Sequence, residues 1–188
     1  KEPAYSTIPI IAMTANASDA DKRDALLWGM NAHVAKPFDV DKLYATILNV
    51  LEHKNYYIHT DALDKFKQKY TKMGCVCGFF VYQVDFEEKI IFADQTTADI
   101  FGCTDEKDFL QFVNGTFKTM VHADDIEQVQ KAINQQQSSS SANLDLVDYD
   151  IIRKDGQIRH LADIGYKVFD GEQLVYFVYI ADITDINL

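Results

Sequence analysis

The apolar positions of the chain fall into runs with different spacings, and each spacing predicts a different element. Ile8 to Met13 form a short, nearly continuous apolar run, which suits a parallel strand covered on both faces. Ser18 offers a helix N-cap with Asp21 three residues on, ahead of a periodic stretch through Ala25, Leu26 and Trp28 that stops at Gly29. Ala32 to Ala35 make a second short strand, broken by Lys36-Pro37. Beyond the break Val40, Leu43, Tyr44, Ile47, Leu48 and Leu51 recur at helical spacing. Strand, helix, strand, helix predicts a parallel sheet with crossover helices.

Glu52 to Met73 is rich in Lys, Tyr and Asp and lacks Pro and Gly. Leu63, Phe66 and Tyr70 fall at i, i+3 and i+7, so Asp61 to Met73 is expected to be an amphipathic helix, with acidic charge in its first turn. Its apolar face has two uses open to it: capping the domain that follows, or pairing with the same helix of a second chain.

From Gly74 onward the pattern becomes antiparallel. Phe79 to Val84 and Lys89 to Ala93 read as strands across the acidic connection Asp85 to Glu88. Short helical pieces follow: Thr96 to Phe101 ending at Gly102, Glu106 to Val113, and a helix capped by Asp124 and running to about Ile133. Gln135 to Ser141 is a polar low-complexity tract expected to form a flexible surface loop. Leu144 to Arg153, Gln157 to Phe169 and Glu172 to Ile183 then read as strands joined by Lys154-Asp155-Gly156 and Asp170-Gly171, strong hairpin signals. Two strands, several helices and three antiparallel strands predict an α+β arrangement with one five-stranded sheet.

Composition narrows the picture. With 188 residues of which 47% are hydrophobic, the chain has material for one ordinary domain plus a smaller unit, and disorder is disfavoured. A net charge of −11 argues against a basic nucleic-acid footprint and against attraction to anionic lipid. Three cysteines, no secretory leader and no apolar run long enough to span a bilayer point to a cytoplasmic setting.

Thr14 at the end of the first apolar run and Lys36-Pro37 at the end of the second resemble the last two βα units of a bacterial response-regulator receiver domain. Both residues end strands, where ligands of open α/β sheets gather, and a hydroxyl and an ammonium both suit a phosphoryl oxygen. The resemblance implies that Thr14 is a switch threonine, Lys36 a phosphate-sensing lysine and Lys36-Pro37 a cis bond. His33 stands where receivers often place a switching Tyr or Phe. No residues match the acidic metal pair or the phosphoryl-accepting Asp of that family, so phosphorylation of this chain is not expected.

Val121-His122-Ala123-Asp124-Asp125, Ile152 to Gly156 with Arg159-His160, and Ala181-Asp182-Ile183-Thr184 resemble a PAS sensory domain, including the segment called PAC. The resemblance covers about Cys75 to Thr184 and implies a sheet folded over helices around a ligand-sized pocket. It also implies that Asp182 and Thr184 pass strain or rotation to an output helix. Tyr82, Phe112, Phe117, Tyr149, Tyr166, Phe177 and Tyr179 are the pocket candidates, against the plainer reading as core. The expected division is residues 1–53 receiver part, 54–74 helical linker, 75–184 PAS domain and 185–188 the start of an output linker.

Other candidate ligands are weaker. His122 sits in a loop motif before an acidic helix start, His160 on a strand, and Cys103 lacks the context of a photoreactive thiol. Cys75 and Cys77 form Cys-Val-Cys without further cysteines nearby, and Asp124 with Asp125 reads as a helix start. No cofactor and no metal site is evident, while a small ligand in the pocket is left open. The chain supplies no catalytic machinery, although its parent is expected to be a histidine kinase or diguanylate cyclase. A sensory module of a two-component or cyclic-dinucleotide protein is the favoured function. A ligand-free dimerisation scaffold is the alternative, with a homodimer through the PAS domain and its flanking helix expected and a downstream output domain in the parent.

Overall fold

The computed structural model describes residues 8–15, 18–52, 60–85, 87–139, 144–169 and 173–186. The first elements are β1 (Ile11–Thr14), α1 (Asp19–Leu27), β2 (Ala32–Ala35) and α2 (Val40–Glu52). β1 and β2 pair in parallel, with Thr14 opposite Ala35. Ser18 caps α1 as its side chain accepts the Asp21 N–H at 3.1 Å, and Asp39 accepts the N–H groups of Asp41 and Lys42 at the start of α2. The apolar stripe of α2 behaves unlike that of a covered helix. Only Val50 is buried, while Tyr44, Leu48 and Leu51 face outward.

Next come α3 (Thr60–Lys72), β3 (Cys77–Gln83) and β4 (Ile90–Ala93). Four helices follow: α4 (Gln95–Ile100), α5 (Glu106–Phe112), α6 (Phe117–Met120) and α7 (Ile126–Ser139). Three long strands then close the fold, β5 (Leu144–Ile152), β6 (Ile158–Phe169) and β7 (Leu174–Asp182). These strands form one antiparallel sheet in the order β4-β3-β7-β6-β5, the expected α+β fold. β3, early in the chain, pairs with β7, the last strand, so the sheet closes only when both ends of this region meet.

Several boundaries differ from expectation for local reasons. β3 starts at Cys77 because Cys77 and Gly78 pair with Ala181 and Ile180 of β7. Lys89 contributes only an isolated bridge to Thr116. α6 is a single turn that no period reveals. The tract from Gln135, expected as a loop, continues α7 as far as Ser139, and Gln136 stitches it to β5 by bonding both the N–H and the carbonyl of Leu146. Glutamine is a good helix former, and a side-chain clamp on an adjacent strand outweighs low complexity. The start of α7 belongs to Asp125, whose carbonyl accepts the Val129 N–H, and not to Asp124. The Asp170-Gly171 turn lies outside the described residues. Gly156, at φ 84°, adopts the left-handed conformation that the other turn requires.

Both faces of the five-stranded sheet are buried. The inner face, under α4 to α7, carries Phe80, Tyr82, Tyr149, Ile151, Leu161, Val178 and Ile180 with Phe101, Phe109, Phe117, Val129 and Ile133 from the helices and loops. On the outer face Phe79, Val81, Ile164, Tyr166, Val168, Phe177 and Tyr179 meet Leu63, Phe66 and Tyr70 of α3. α3 therefore caps its own sheet. Leu26 of α1 belongs to the same outer cluster, and the Arg23 guanidinium lies 3.8 Å from the centre of the Phe92 ring.

Candidate functional site: the interior of the sheet and its exit

Side-chain direction in a strand alternates, so register decides which candidates share a site. Tyr82 of β3 pairs with Tyr176 of β7, and Tyr149 of β5 with Leu161 of β6, all on the inner face. Tyr166, Phe177 and Tyr179 point to the opposite face and pack beneath α3. Phe112 lies at the surface. Of the seven aromatic pocket candidates, Tyr82, Phe117 and Tyr149 are brought together. The other four do not line the interior: Tyr166, Phe177 and Tyr179 because an odd step along a strand moves a side chain across the sheet, and Phe112 because it ends α5 on the side away from the core.

The interior is filled by rings. Phe117, Tyr82 and Tyr176 form a continuous stack with centroids 4.8 and 4.9 Å apart, and Tyr149 meets Phe117 edge-on at 6.2 Å. A shallow surface depression, too small to hold a ligand, lies among Phe117, Lys118, Val121, Ile126, Val129 and Gln130.

Two carboxylates that sequence reasoning passed over sit inside this apolar setting. Asp145 of β5 is 2% exposed and Asp163 of β6 is 3% exposed. The Tyr149 hydroxyl donates to Asp163 Oδ2 at 2.8 Å. Asp145 lies opposite Gly165, where a Cβ would stand 2.6 Å from its Oδ1, so the missing side chain makes room for this carboxylate. Burial, and then the charge of Asp145, push the Asp163 carboxyl well above its ordinary range. Burial also pushes the hydroxyls of Tyr82 and Tyr149 well up, reinforced for Tyr82 by Tyr176 and for Tyr149 by Asp163. An acid in the apolar run Leu161-Ala162-Asp163-Ile164 was the available clue.

At the end of β7 the predicted output residues do meet. Asp182 Oδ1 accepts from the N–H and hydroxyl of Thr184 at 3.1 and 2.6 Å, and Thr184 Oγ1 accepts the His160 N–H at 2.8 Å. Arg159 Nη1 lies 3.8 Å from Asp182 and 3.1 Å from Asp185. The last turn of the described chain is thus tied to the start of β6. His160 Nδ1 lies 2.7 Å from Asp150 Oδ1, while Asp150 donates its N–H to Asp125 and accepts the His122 N–H at its carbonyl. His122 and Asp125 accordingly anchor the α6–α7 loop to β5.

In the N-terminal unit Thr14 Oγ1 and His33 Nε2 are 2.6 Å apart, and the Lys36 N–H donates to the Thr14 carbonyl at 2.7 Å. Lys36-Pro37 is cis, and the Lys36 side chain is exposed. The contact of Thr14 with His33 was not foreseen, although parallel pairing of the two strand ends permits it. Cys103 is buried against the Phe101 carbonyl and Cys75 and Cys77 are half-buried, with no metal-binding cluster among the described residues.

Residues 90–180 match the family model described as the PAS fold. Among solved structures the chain is similar to a sensory box histidine kinase/response regulator from Burkholderia thailandensis, at 16% identity and a TM-score of 0.46 over 63% of this chain and 86% of that one. It is also similar to a PAS domain from Colwellia psychrerythraea, at 17% identity and a TM-score of 0.45 over 65% of this chain and 98% of that one. A third similar structure is the N-terminal domain of a diguanylate cyclase with PAS/PAC sensor from Marinobacter aquaeolei, at 14% identity and a TM-score of 0.42, over 57% and 95%. No curated protein matches the chain. Among the described residues no helix is long and apolar enough to cross a membrane.

Proposed function

We propose that the chain, whose residues 90–180 match the family model described as the PAS fold, is the sensory and regulatory PAS module of a bacterial two-component or cyclic-dinucleotide signalling protein. In this reading it works in the cytoplasm, performs no catalysis itself and relays conformational change to a downstream output domain. The observation that carries the proposal is the linkage at the end of β7. Asp182 and Thr184 are bound both to each other and, through His160 and Arg159, to β6, whose Leu161 and Asp163 enter the interior. A rearrangement inside the sheet therefore moves the exit of the chain through two adjacent strands and not through a loop.

The stacked rings of Phe117, Tyr82 and Tyr176 favour relay by repacking over the holding of a large cofactor. The same filling favours the second reading, a PAS dimerisation scaffold without ligand. The proposed homodimer uses the PAS domain and the flanking helix α3, though not the Leu63 face of that helix, which lies on its own sheet. For residues 1–53 we propose the C-terminal part of a receiver domain, followed by a helical linker over 54–74, the PAS domain over 75–184 and an output linker from 185. The parallel pairing of β1 with β2 and the contact of Thr14 with His33 support that reading.

Native mass spectrometry together with an absorption spectrum of the 188-residue chain is the test. A mass equal to that of the polypeptide, with no visible absorption, is expected. A haem or flavin band, or a retained mass of that size, overturns relay by an occluded interior. A stable dimer whose exchange protection around Asp182 does not change on perturbing the interior selects the scaffold.

A further inference from the structure

We infer that Asp163 is held as a neutral carboxylic acid at neutral pH, and that its ionisation loosens the inner face of the sheet, making the interior responsive to proton concentration. The groups around it leave little alternative. Ile180 is its cross-strand partner on β7 and Val147 on β5, both buried and apolar. From β5 the Tyr149 hydroxyl donates to Oδ2, a bond that by itself favours the charged form and that burial and Asp145 outweigh, so the proton sits on the other carboxyl oxygen. Asp145, one diagonal step away on β5, adds a second buried carboxylate to the same face. Two carboxylates buried this deeply resist being ionised together, because desolvation penalises each charge and each repels the other.

Cations are distributed unequally between the two acids. Lys167, next after Gly165 on this face of β6, is a register neighbour of Asp145 on the side away from Asp163, and its ammonium lies 5.6 Å from the centre of the Tyr176 ring. Arg159, four residues before Asp163 on β6, is directed to Asp182 and Asp185. β3 and β7 contribute Tyr82 and Tyr176, whose rings stack, and α6 and α7 contribute Phe117, Val129 and Ile133 to this core. Glu88, near Tyr82, is bound by Gln130 of α7. Asp145 is therefore the acid better placed to ionise, and Asp163 the one to keep its proton.

Linkage fixes the sign. A carboxyl whose folded value is raised binds a proton that the unfolded chain, at about 3.9, has already lost. Its contribution to stability is complete below that unfolded value and disappears as pH rises through the folded one. Within the relay reading, alkalinity then acts as the loosening input.

The test is infrared spectroscopy of the full chain with aspartate labelled at the carboxyl carbon, alongside urea unfolding from pH 5 to pH 9. The expected result is a protonated-carboxyl band at pH 7 that is absent from Asp163→Asn and kept in Asp145→Asn. The urea midpoint of the wild type should fall with rising pH, while that of Asp163→Asn falls measurably less. Absence of the band from the wild type, or its persistence in Asp163→Asn, overturns the inference. If Asp163→Asn does not fold, the wild-type band and its response to Tyr149→Phe decide: a shifted band supports the assignment and an unmoved band refutes it. The inference rests on the relay reading only for its use in signalling. A bound cofactor would end that reading and leave the band, whereas a missing band would end the inference and leave the relay.

Discussion

The two faces of the five-stranded sheet are equally buried but are covered by parts of the chain with different freedom to leave. The inner face is covered by α4 to α7, which lie between β4 and β5 in sequence and are held there by strands on both sides. α4 is bound at both ends: Asp94 accepts the N–H groups of Thr97 and Phe79, and Arg153 Nη1 donates to the Ile100 carbonyl at 2.7 Å. The outer face is covered by α3 and by the Leu26 edge of α1, both of which precede the first strand of the sheet. Their removal breaks no strand connection. The inner cover is therefore part of the fold, and the outer cover is a docked layer that local opening can release without global unfolding.

Substitutions on the two faces separate these cases, and the largest effect belongs inside. Phe80→Ala removes a side chain with 0% exposure from the centre of the inner cluster. It is expected to cost about 4 kcal/mol and to lower the urea midpoint of the whole sheet, as read by tyrosine fluorescence and far-UV circular dichroism together. Phe66→Ala, on α3, is expected to cost about 3 kcal/mol at most, because undocking the helix caps the loss. Amide exchange should rise along α3 while β3 and β7 stay protected. If both substitutions unfold the chain in one transition with equal loss, the distinction between fixed and docked cover fails.

Gly165→Ala probes the inner face at a different scale. The new Cβ would meet Asp145 Oδ1 at 2.6 Å, so the carboxylate must move into its apolar surroundings, at a cost of about 1 to 3 kcal/mol. Asp145→Asn in the same background should recover part of that loss, since an amide displaced there carries no charge to bury. The comparison is sharpened if the same exchange in the wild type background changes stability by a different amount, which a double-mutant cycle measures.

What the sequence revealed follows the same division. The Lys154-Asp155-Gly156 turn, the succession of strands and helices along the chain and the fold class were legible because Gly, Asp and the long apolar runs mark elements locally, whereas the place of β3 beside β7 is a long-range pairing. The faces were not. β7 is covered on both sides and reads as an unbroken apolar run, so nothing separates Phe177 and Tyr179 of its outer face from Tyr176 and Val178 of its inner one. On β6 the outer Ala162, Ile164, Tyr166 and Val168 do alternate with Asp163, Gly165 and Lys167, but the polar set faces the interior, the reverse of the usual sense. Tyr166, Phe177 and Tyr179 were grouped with Tyr82 and Tyr149 for that reason. The bond between Asp182 and Thr184 is local in sequence and was within reach of a motif, whereas the tie of Thr184 to His160 spans 24 residues and needs the register. Asp145 was masked by its acidic neighbours Asp148, exposed, and Asp150, half-buried, on the same strand, and only the register shows that it lies inside. The last turns of α7 depend on Gln136 reaching β5, a contact no periodicity contains.

The smallest expected effect tests the outermost contact. Arg23 places its guanidinium over the Phe92 ring at 3.8 Å, next to Leu26, which is 1% exposed in the outer cluster. Arg23→Ala should remove about 0.5 to 1 kcal/mol of attraction, which is a two- to fivefold change in the ratio of docked to undocked α1. Because Leu26 still anchors α1, global stability should stay within error, and the change should appear as faster amide exchange over residues 20–27 alone. Arg23→Lys should fall between the two, since an ammonium keeps the charge but loses the planar stacking of the guanidinium. Uniform exchange in all three proteins would mean that the Arg23 contact does not contribute to docking and that Leu26 alone holds α1 on the sheet. Faster exchange spreading into β4 would instead mean that this layer supports the strand beneath it, and that the outer cover is less separable than its place in the chain implies.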